Sequence, residues 1–161
     1  MRQSRTSALV ADPRLRAELE QMASPVAKMR NTVLFREGEP VSGVFLLTQG
    51  KARLSQIYAQ ALPAQIVGPG AILGLPSSIG NRPYNFTAEL LEDSKLGFIP
   101  RREIVQLLRT NPEHCLRVVQ LLGSSVRDVY SAKAHSITPR RRRSVRGKRV
   151  RSASRGQSIS F

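Results

Sequence analysis

Residues 32–54 read TVLFREGEPVSGVFLLTQGKARL and contain three short β-prone runs separated by glycine turns. The first run, 32–35, ends at the turn 36–40, and the second run, 44–48, ends at Gln49-Gly50. The third run begins at residue 52 and alternates apolar with polar side chains. Because β-branched and aromatic residues favour strands and glycine favours turns, this stretch predicts consecutive antiparallel strands.

The same pattern continues as far as residue 100. Further β-prone runs occupy 65–67, 86–91 and 95–99, and a Gly-Pro-Gly turn occupies 68–70. Short strands at roughly ten-residue spacing with glycine turns are typical of a closed or rolled antiparallel structure. We therefore expect a mainly β fold.

Helical patterns flank this β region. Asp12-Pro13 combines a capping side chain with a proline at the first helical position, and it predicts a helix over 13–22 that ends at Ser24-Pro25. A short helix is expected around 104–108. Asn111-Pro112 repeats the capping pattern and predicts one long helix over 112–135.

The long helix carries apolar residues at alternating spacings of four and three: Cys115, Val119, Leu122, Val126 and Val129. Such a seam, with further apolar positions beside it, lets a helix pack on its own domain and on a second copy of the chain. We therefore expect a homodimer. One wide core-facing surface is the alternative interpretation of the same pattern.

The net charge of +15 is concentrated in one segment. Residues 139–161 hold nine Lys and Arg and no acidic residue, whereas the other 138 residues carry seventeen basic against eleven acidic side chains. This tail has few apolar residues and no helical stripe, so we expect it to be disordered when free.

Three interpretations of the tail stay open: a frame-shifted or truncated regulator, a true basic tail, and a segment that docks a partner. Cations at this density bind nucleic-acid phosphates without sequence preference. The candidate nucleic-acid contacts are Arg140, Arg141, Arg142, Arg143, Lys148 and Arg149.

Residue counts exclude several function classes. One cysteine excludes an iron–sulfur cluster or a four-cysteine zinc site. The region 29–100 has no histidine, so we do not expect a metal-dependent enzyme or a metal site. We expect His114 on an exposed helix face and Cys115 in the seam or the core. No apolar run is long enough for a membrane span and no secretory signal is present, so we expect a cytoplasmic chain.

Several segments in a fixed order resemble the sensor domain of the cyclic-AMP receptor protein / fumarate–nitrate regulator (CRP/FNR) superfamily of bacterial transcription regulators. The resemblance covers about 28–137 and implies a cyclic-nucleotide-binding-like β-roll, that is, a double-stranded β-helix or jelly roll, followed by a long dimerisation helix. The segments that carry it are 32–40, 43–47, 50–54, 66–74, 92–101 and 111–113.

The resemblance also implies a small effector in the roll, bound at a phosphate-binding cassette after Gly74. Nucleotide-binding members place a glutamate after this glycine and an arginine further on, but here these positions hold Leu75 and Tyr84. Cyclic-nucleotide binding is therefore possible but disfavoured. Another effector and an empty, structural roll are the alternatives. The candidate ligand-binding residues are Gly74, Leu75, Ser77, Ser78, Arg82, Tyr84 and Asn85.

The expected organisation follows from these patterns. Residues 1–11 form a flexible leader, 12–110 the N-terminal helix and the β-roll, 111–138 the dimerisation helix and 139–161 the disordered tail. The tail is too short and too polar for the winged helix-turn-helix that the resemblance implies, so we expect no such domain. A heterodimer with full-length relatives is then possible.

Overall fold

In the part of the chain that the structure describes, two four-stranded antiparallel sheets form the body and four helices flank them. A computed structural model describes residues 10–57 and 63–123. The helices are α1 (Pro13–Met22), α2 (Leu75–Gly80), α3 (Arg101–Thr110) and α4 (112–123). The strands are β1 (Ser24–Lys28), β2 (Val33–Phe35), β3 (Gly43–Gln49), β4 (Ala52–Ser55), β5 (Gln65–Val67), β6 (Ile72–Leu73), β7 (Thr87–Leu90) and β8 (Ser94–Pro100).

The first sheet has the order β1-β8-β3-β6, and the second has the order β2-β7-β4-β5. β3 pairs with β8 from Gly43 opposite Pro100 to Leu47 opposite Leu96, and then the register shifts before Gln49. Strands that are distant in sequence are therefore neighbours in both sheets, as a rolled sheet requires.

The interior has two apolar layers. One lies between the sheets and includes Phe35, Leu47, Leu90 and Leu96. The other lies between the first sheet and the helices, and its fully buried members include Leu15 and Ile104 from α1 and α3 together with the strand residues Val44, Leu46 and Ile99. The expected mainly β roll with flanking helices is confirmed.

The predicted capping of α1 is present. The Asp12 carboxylate accepts hydrogen bonds from the backbone N–H groups of Arg14 at 3.0 Å and Leu15 at 3.1 Å. The Leu15 N–H makes the largest contribution to holding the pKa of Asp12 below its ordinary value; burial opposes it, and the Arg14 N–H and the Arg117 guanidinium add to it. Arg117 of α4 lies 3.0 Å from Asp12, so the cap also joins α1 to α4.

Besides the two-residue strand β6, the sequence patterns missed two elements. Ser24-Pro25 was expected only to end a helix, yet Ser24–Lys28 is β1, an edge strand that pairs with β8. Proline is tolerated at a sheet edge because the missing N–H is not needed there. The six-residue helix α2 was the other omission, because it is too short to show a helical period.

The long helix is only partly described. Helical geometry runs from residue 112 to residue 123, so the full 112–135 helix is not confirmed, and 124–135 lies outside the described residues. The tail 139–161 and residues 1–9 of the predicted leader lie outside them too.

The last leader residues, Val10 and Ala11, contact the roll at 70–71. Within the described ranges, no helix is long and apolar enough to cross a membrane.

His114 corrects one expectation. It is buried, with 4 % exposure, rather than lying on an exposed helix face. Its Nε2 lies 2.5 Å from the Glu18 Oε2 of α1, a close contact that does not have hydrogen-bond geometry. Cys115, the next residue, is exposed and so does not belong to the core.

Candidate functional site

The cassette, residues 74–85, starts with a turn that only glycine enters without strain. Gly74 has a φ of 84° and lies directly between β6 and α2. Asn81 ends α2 with a φ of 50° and donates its N–H to the Ser77 carbonyl. Two left-handed residues thus reverse the chain at both ends of this short helix.

Tyr84 is buried against this turn. Its ring stacks on Phe35, with centroids 3.9 Å apart. A Cβ at Gly74 would lie 2.8 Å from its Cε1, so the ring fills the space that a side chain would need. The hydroxyl donates to the Gly43 carbonyl at 2.8 Å and accepts from the backbone N–H groups of Ser42 and Gly43 at 3.2 Å each. The phenol is therefore fully engaged within the protein.

Leu75 is buried as well. It has 2 % exposure and belongs to the apolar layer beneath the helices, beside Ile104. A leucine in that layer offers no acceptor for a ribose hydroxyl. Neither the glutamate position nor the arginine position of the cassette thus presents a polar group to a ligand.

The two serines of α2 are also buried and lie in different surroundings. The Ser77 hydroxyl donates to the Asn85 carboxamide oxygen at 3.4 Å, at the weak end of hydrogen bonding. The Ser78 hydroxyl has no hydrogen-bond partner within 10–57 and 63–123, and the Ser78 backbone carbonyl accepts from the Arg101 side chain. Ser77 and Asn85 are thus brought together, whereas Ser78 faces the core side.

Arg82 is the cation nearest to α2 in sequence, and its side chain is exposed. Its backbone N–H donates to the Ser77 carbonyl at 3.1 Å. Among the described residues, its guanidinium forms no hydrogen bond or ion pair. Arg82 is therefore the cassette cation that remains available to an anionic ligand.

A polar rim adjoins Asn85. The Gln56 carboxamide donates to the Asn85 backbone carbonyl at 2.9 Å, and its own oxygen is buried with no partner among the residues that the structure describes. Glu37 lies nearby, where its carboxylate accepts from the Ile57 N–H and its backbone N–H donates to the Thr87 hydroxyl. Sequence reasoning missed this rim, as it missed Ser42 and Gly43, because these residues lie on strands and turns distant in sequence from the cassette.

Helix α4 has one buried and one exposed apolar side. Val118 is buried in the layer beneath the helices, and Leu122 packs against that layer. On the other side Leu116 and Val119 are 60 % and 58 % exposed, next to the exposed Cys115. The predicted seam is thus divided: Cys115 and Val119 lie on the exposed side, and Leu122 does not.

The remaining predicted positions of the seam and the tail lie outside the described residues. Val126 and Val129 of the seam lie outside the described residues, as do the six candidate nucleic-acid contacts of the tail. In the part of the chain that the structure describes, no group of three or more His, Cys, Asp or Glu side chains could hold a metal ion.

Comparisons with known proteins agree on the fold. The chain is similar to the catabolite activator protein of Thermus thermophilus, with a TM-score of 0.66 and 19 % identity over 78 % of this chain and 60 % of that one. It is similar to the N-terminal domain of a transcriptional regulator from Streptomyces coelicolor, with a TM-score of 0.58 and 24 % identity over 80 % of this chain and 91 % of that one.

A third similar structure is a cyclic nucleotide-binding domain from Methylobacillus flagellatus, with a TM-score of 0.63 and 21 % identity over 83 % of this chain and 82 % of that one. No curated protein sequence matches the chain. The family model described as "Cyclic nucleotide-binding domain" matches residues 26–111, which include the last three residues of β1, all of β2 to β8, the cassette and α3. This chain therefore belongs to the cyclic nucleotide-binding domain family, with a fold similar to that of CRP-type transcription regulators.

Proposed function

We propose that this chain is the effector-sensing part of a CRP/FNR-type bacterial transcription regulator, and that it senses a small molecule other than a cyclic nucleotide. The observation that carries the proposal is the cassette itself. Its glycine turn, helix α2 and return strand β7 are all present, while the two positions that would contact a cyclic nucleotide hold buried side chains. The similarity to the two regulators named above supports the same role.

The buried positions argue against a cyclic phosphate for two reasons. A guanidinium at position 84 would pair with phosphate oxygens through its fork of donors, whereas the Tyr84 hydroxyl is already satisfied by Gly43 and Ser42. Pro76, at the start of α2, also lacks the N–H that could bind an anion. Arg82 is the remaining cation, and it would favour an effector with a single negative charge at the edge of the roll.

Thermal unfolding tests the effector. Cyclic AMP, cyclic GMP and a panel of small metabolites are added to the wild-type chain and to Arg82→Ala. A ligand at about 100 times its dissociation constant adds ~2.7 kcal/mol of stability, which shifts the midpoint by several degrees. We expect no shift with either nucleotide. A nucleotide shift that Arg82→Ala abolishes would contradict the proposed ligand class, and no shift with any ligand would favour the structural roll.

We further propose that the chain dimerises through the exposed side of α4. Two large apolar side chains one turn apart, Leu116 and Val119, are more than half exposed there, whereas Val118 is buried and Leu122 is partly buried against the core. A second copy of the chain would cover this strip with its own, because a two-fold axis brings identical surfaces together.

The dimer is tested by light scattering during size-exclusion chromatography. Val119→Asp should dissociate it, because the substitution places a charge on the apolar strip. Gln120→Asp, at the neighbouring exposed position, is the matched control and should remain a dimer. Leu122→Asp is less useful, because Leu122 also packs on the core. A wild-type chain that is monomeric at high concentration would overturn this proposal.

Binding of nucleic acid through the tail is the second candidate function, and the charge of 139–161 favours it. Deletion of this segment should abolish binding, which should also weaken steeply with salt. Binding that survives the deletion would contradict this candidate function.

A further inference from the structure

The polar rim beside the cassette contains a buried acceptor that lacks a donor. The Gln56 Nε2 donates to the Asn85 backbone carbonyl. Because a carbonyl can only accept, this bond fixes the nitrogen toward Asn85 and leaves Oε1 as the free end of the carboxamide. That oxygen is buried and has no hydrogen-bond partner in the described part of the chain. A buried oxygen without a donor destabilises the fold, so the position is suited to a ligand that donates.

A carboxylate lies at the same corner of the roll. Glu37 is half-buried, and its carboxylate accepts from the N–H of Ile57, the residue after Gln56. The Glu37 N–H donates to the Thr87 hydroxyl at 3.0 Å, and Thr87 lies opposite Ser55 where β4 pairs with β7. Among the described side chains, no cation pairs with Glu37. Two acceptors without a cation therefore meet where the ends of β4 and β7 contact the turn after β2.

The free cation of the cassette is connected to this corner through Ser77. The Ser77 hydroxyl donates to the Asn85 carboxamide, and the Ser77 carbonyl accepts from the Arg82 N–H. The Arg82 side chain is exposed. The return from α2 to β7, residues 82–87, thus presents a cation without an anion at one end. At its other end it borders the two acceptors.

We propose that the effector of this chain is a small zwitterion, a molecule that carries a protonated amine and a carboxylate, as a free amino acid does. Its ammonium group donates to the Gln56 Oε1 and the Glu37 carboxylate, and its carboxylate pairs with Arg82. An ammonium group has three donors and no acceptor, which matches a corner that offers only acceptors. This inference rests on the proposed sensing function and names the chemical class of the effector.

Thermal unfolding of the full chain with matched ligands tests the class. The probes are the standard amino acids, their N-acetyl derivatives, which lack the ammonium group, and the corresponding amines, which lack the carboxylate. Dissociation constants follow from the dependence of the midpoint on ligand concentration. At least one amino acid should raise the midpoint. Its N-acetyl derivative and its amine should bind about ten- to hundredfold more weakly, the range expected for a lost hydrogen bond to a charged group.

Variants assign each end of the ligand. Glu37→Gln keeps an acceptor for the Ile57 N–H and removes the charge, and Gln56→Met removes the free oxygen. Both should weaken amino-acid binding about ten- to hundredfold. Glu103→Gln is the matched control, a half-buried carboxylate on α3, and should bind as the wild type does. Arg82→Ala should weaken the amino acid but not the amine, because the amine has no carboxylate to lose.

Three results would overturn the proposal: no amino acid raises the midpoint, the N-acetyl derivative binds as tightly as the free amino acid, or Glu37→Gln binds as tightly as Glu103→Gln. In the second case an effector binds without an ammonium group, so the sensing function stands and only the effector class fails. A midpoint that moves neither with the amino acids nor with the wider metabolite panel contradicts both.

Discussion

The hydroxyl of Tyr84 donates a 2.8 Å hydrogen bond to the carbonyl oxygen of Gly43, 41 residues earlier in the chain. The bond joins the cassette to the start of β3 from inside the protein.

Tyr84 should therefore contribute to stability through both its ring and its hydroxyl. Tyr84→Phe keeps the stack on Phe35 and should cost about 1 kcal/mol, since the hydroxyl and its backbone partners lose their hydrogen bonds. Tyr84→Ala removes the ring as well and should cost roughly 3–5 kcal/mol. Urea unfolding measures both values, and equal losses for the two variants would mean that the ring contributes nothing.

Substitution of Gly74 should cost more stability than substitution of a glycine that has the same backbone conformation elsewhere. Gly74→Ala meets both a φ of 84° and a Cβ contact of 2.8 Å with Tyr84. Gly38→Ala is the matched control, because its φ is 88° and no atom lies within 4 Å of the added Cβ. We expect Gly38→Ala to lose about 1 kcal/mol from backbone strain and Gly74→Ala to lose ~1–3 kcal/mol more from overpacking. Equal losses in urea unfolding would show that the Tyr84 ring moves aside at no cost.

Asp12 should make the stability of the chain depend on acidity. Its folded-state pKa lies below the ordinary value of 3.8, chiefly because its carboxylate accepts from the Leu15 N–H. The charged form therefore stabilises the fold at every pH above the unfolded-state pKa, and this contribution is lost as the pH falls through the folded-state pKa. Asp12→Asn keeps a capping side chain but not the charge. Its unfolding free energy should therefore fall less than that of the wild type between pH 5 and pH 2, which lie roughly one to two units on either side of the ordinary pKa.

Asp12→Ala completes this comparison. Loss of the cap should cost about 1 kcal/mol at neutral pH, as is usual at helix N-termini. Chemical unfolding across the pH series measures both variants. A parallel fall of wild type and Asp12→Asn would contradict the assignment of the acid sensitivity to Asp12.

Glu18 should matter more than its exposure suggests, because it is the partner of the buried His114. Glu18→Gln removes the carboxylate that lies 2.5 Å from the imidazole and should cost ~1–3 kcal/mol, as expected when a buried polar group loses its partner. Glu20→Gln breaks the exposed pair with Arg16 at 2.8 Å and should cost less than 1 kcal/mol. Thermal unfolding of the two variants distinguishes them, and equal midpoints would show that His114 does not depend on Glu18.

The sequence predicted the strands and helices whose signals are local. The capping pair Asp12-Pro13 and the glycine turns around 36–40 and 68–70 are examples, because capping and turn chemistry act over a few residues. β1 was missed because its burial is that of an edge strand, with four of its five residues exposed, so it shows no apolar alternation.

The candidate site was predictable only in part. Its position after Gly74 and the two departures at 75 and 84 follow from the resemblance to a family. That Tyr84 turns inward to bond with Ser42 and Gly43 does not, because this contact depends on how β3 and the cassette pack. The burial of His114 could not be predicted from the sequence either, because it requires α1 to lie against α4.

The pairing of β1 with β8 has a consequence for the time at which the chain can fold during its synthesis. β1 pairs with β8 along its whole length, from Ser24 opposite Phe98 to Lys28 opposite Ser94, and β8 also pairs with β3. The roll therefore cannot close until residue 100 has been added, so β1 and the apolar face of β3 wait for a strand made much later. Non-local pairings of this kind fold in milliseconds to seconds rather than microseconds. A nascent chain halted before residue 94 would expose unpaired strand edges. Such a partly folded chain either aggregates through these edges or is bound by a chaperone.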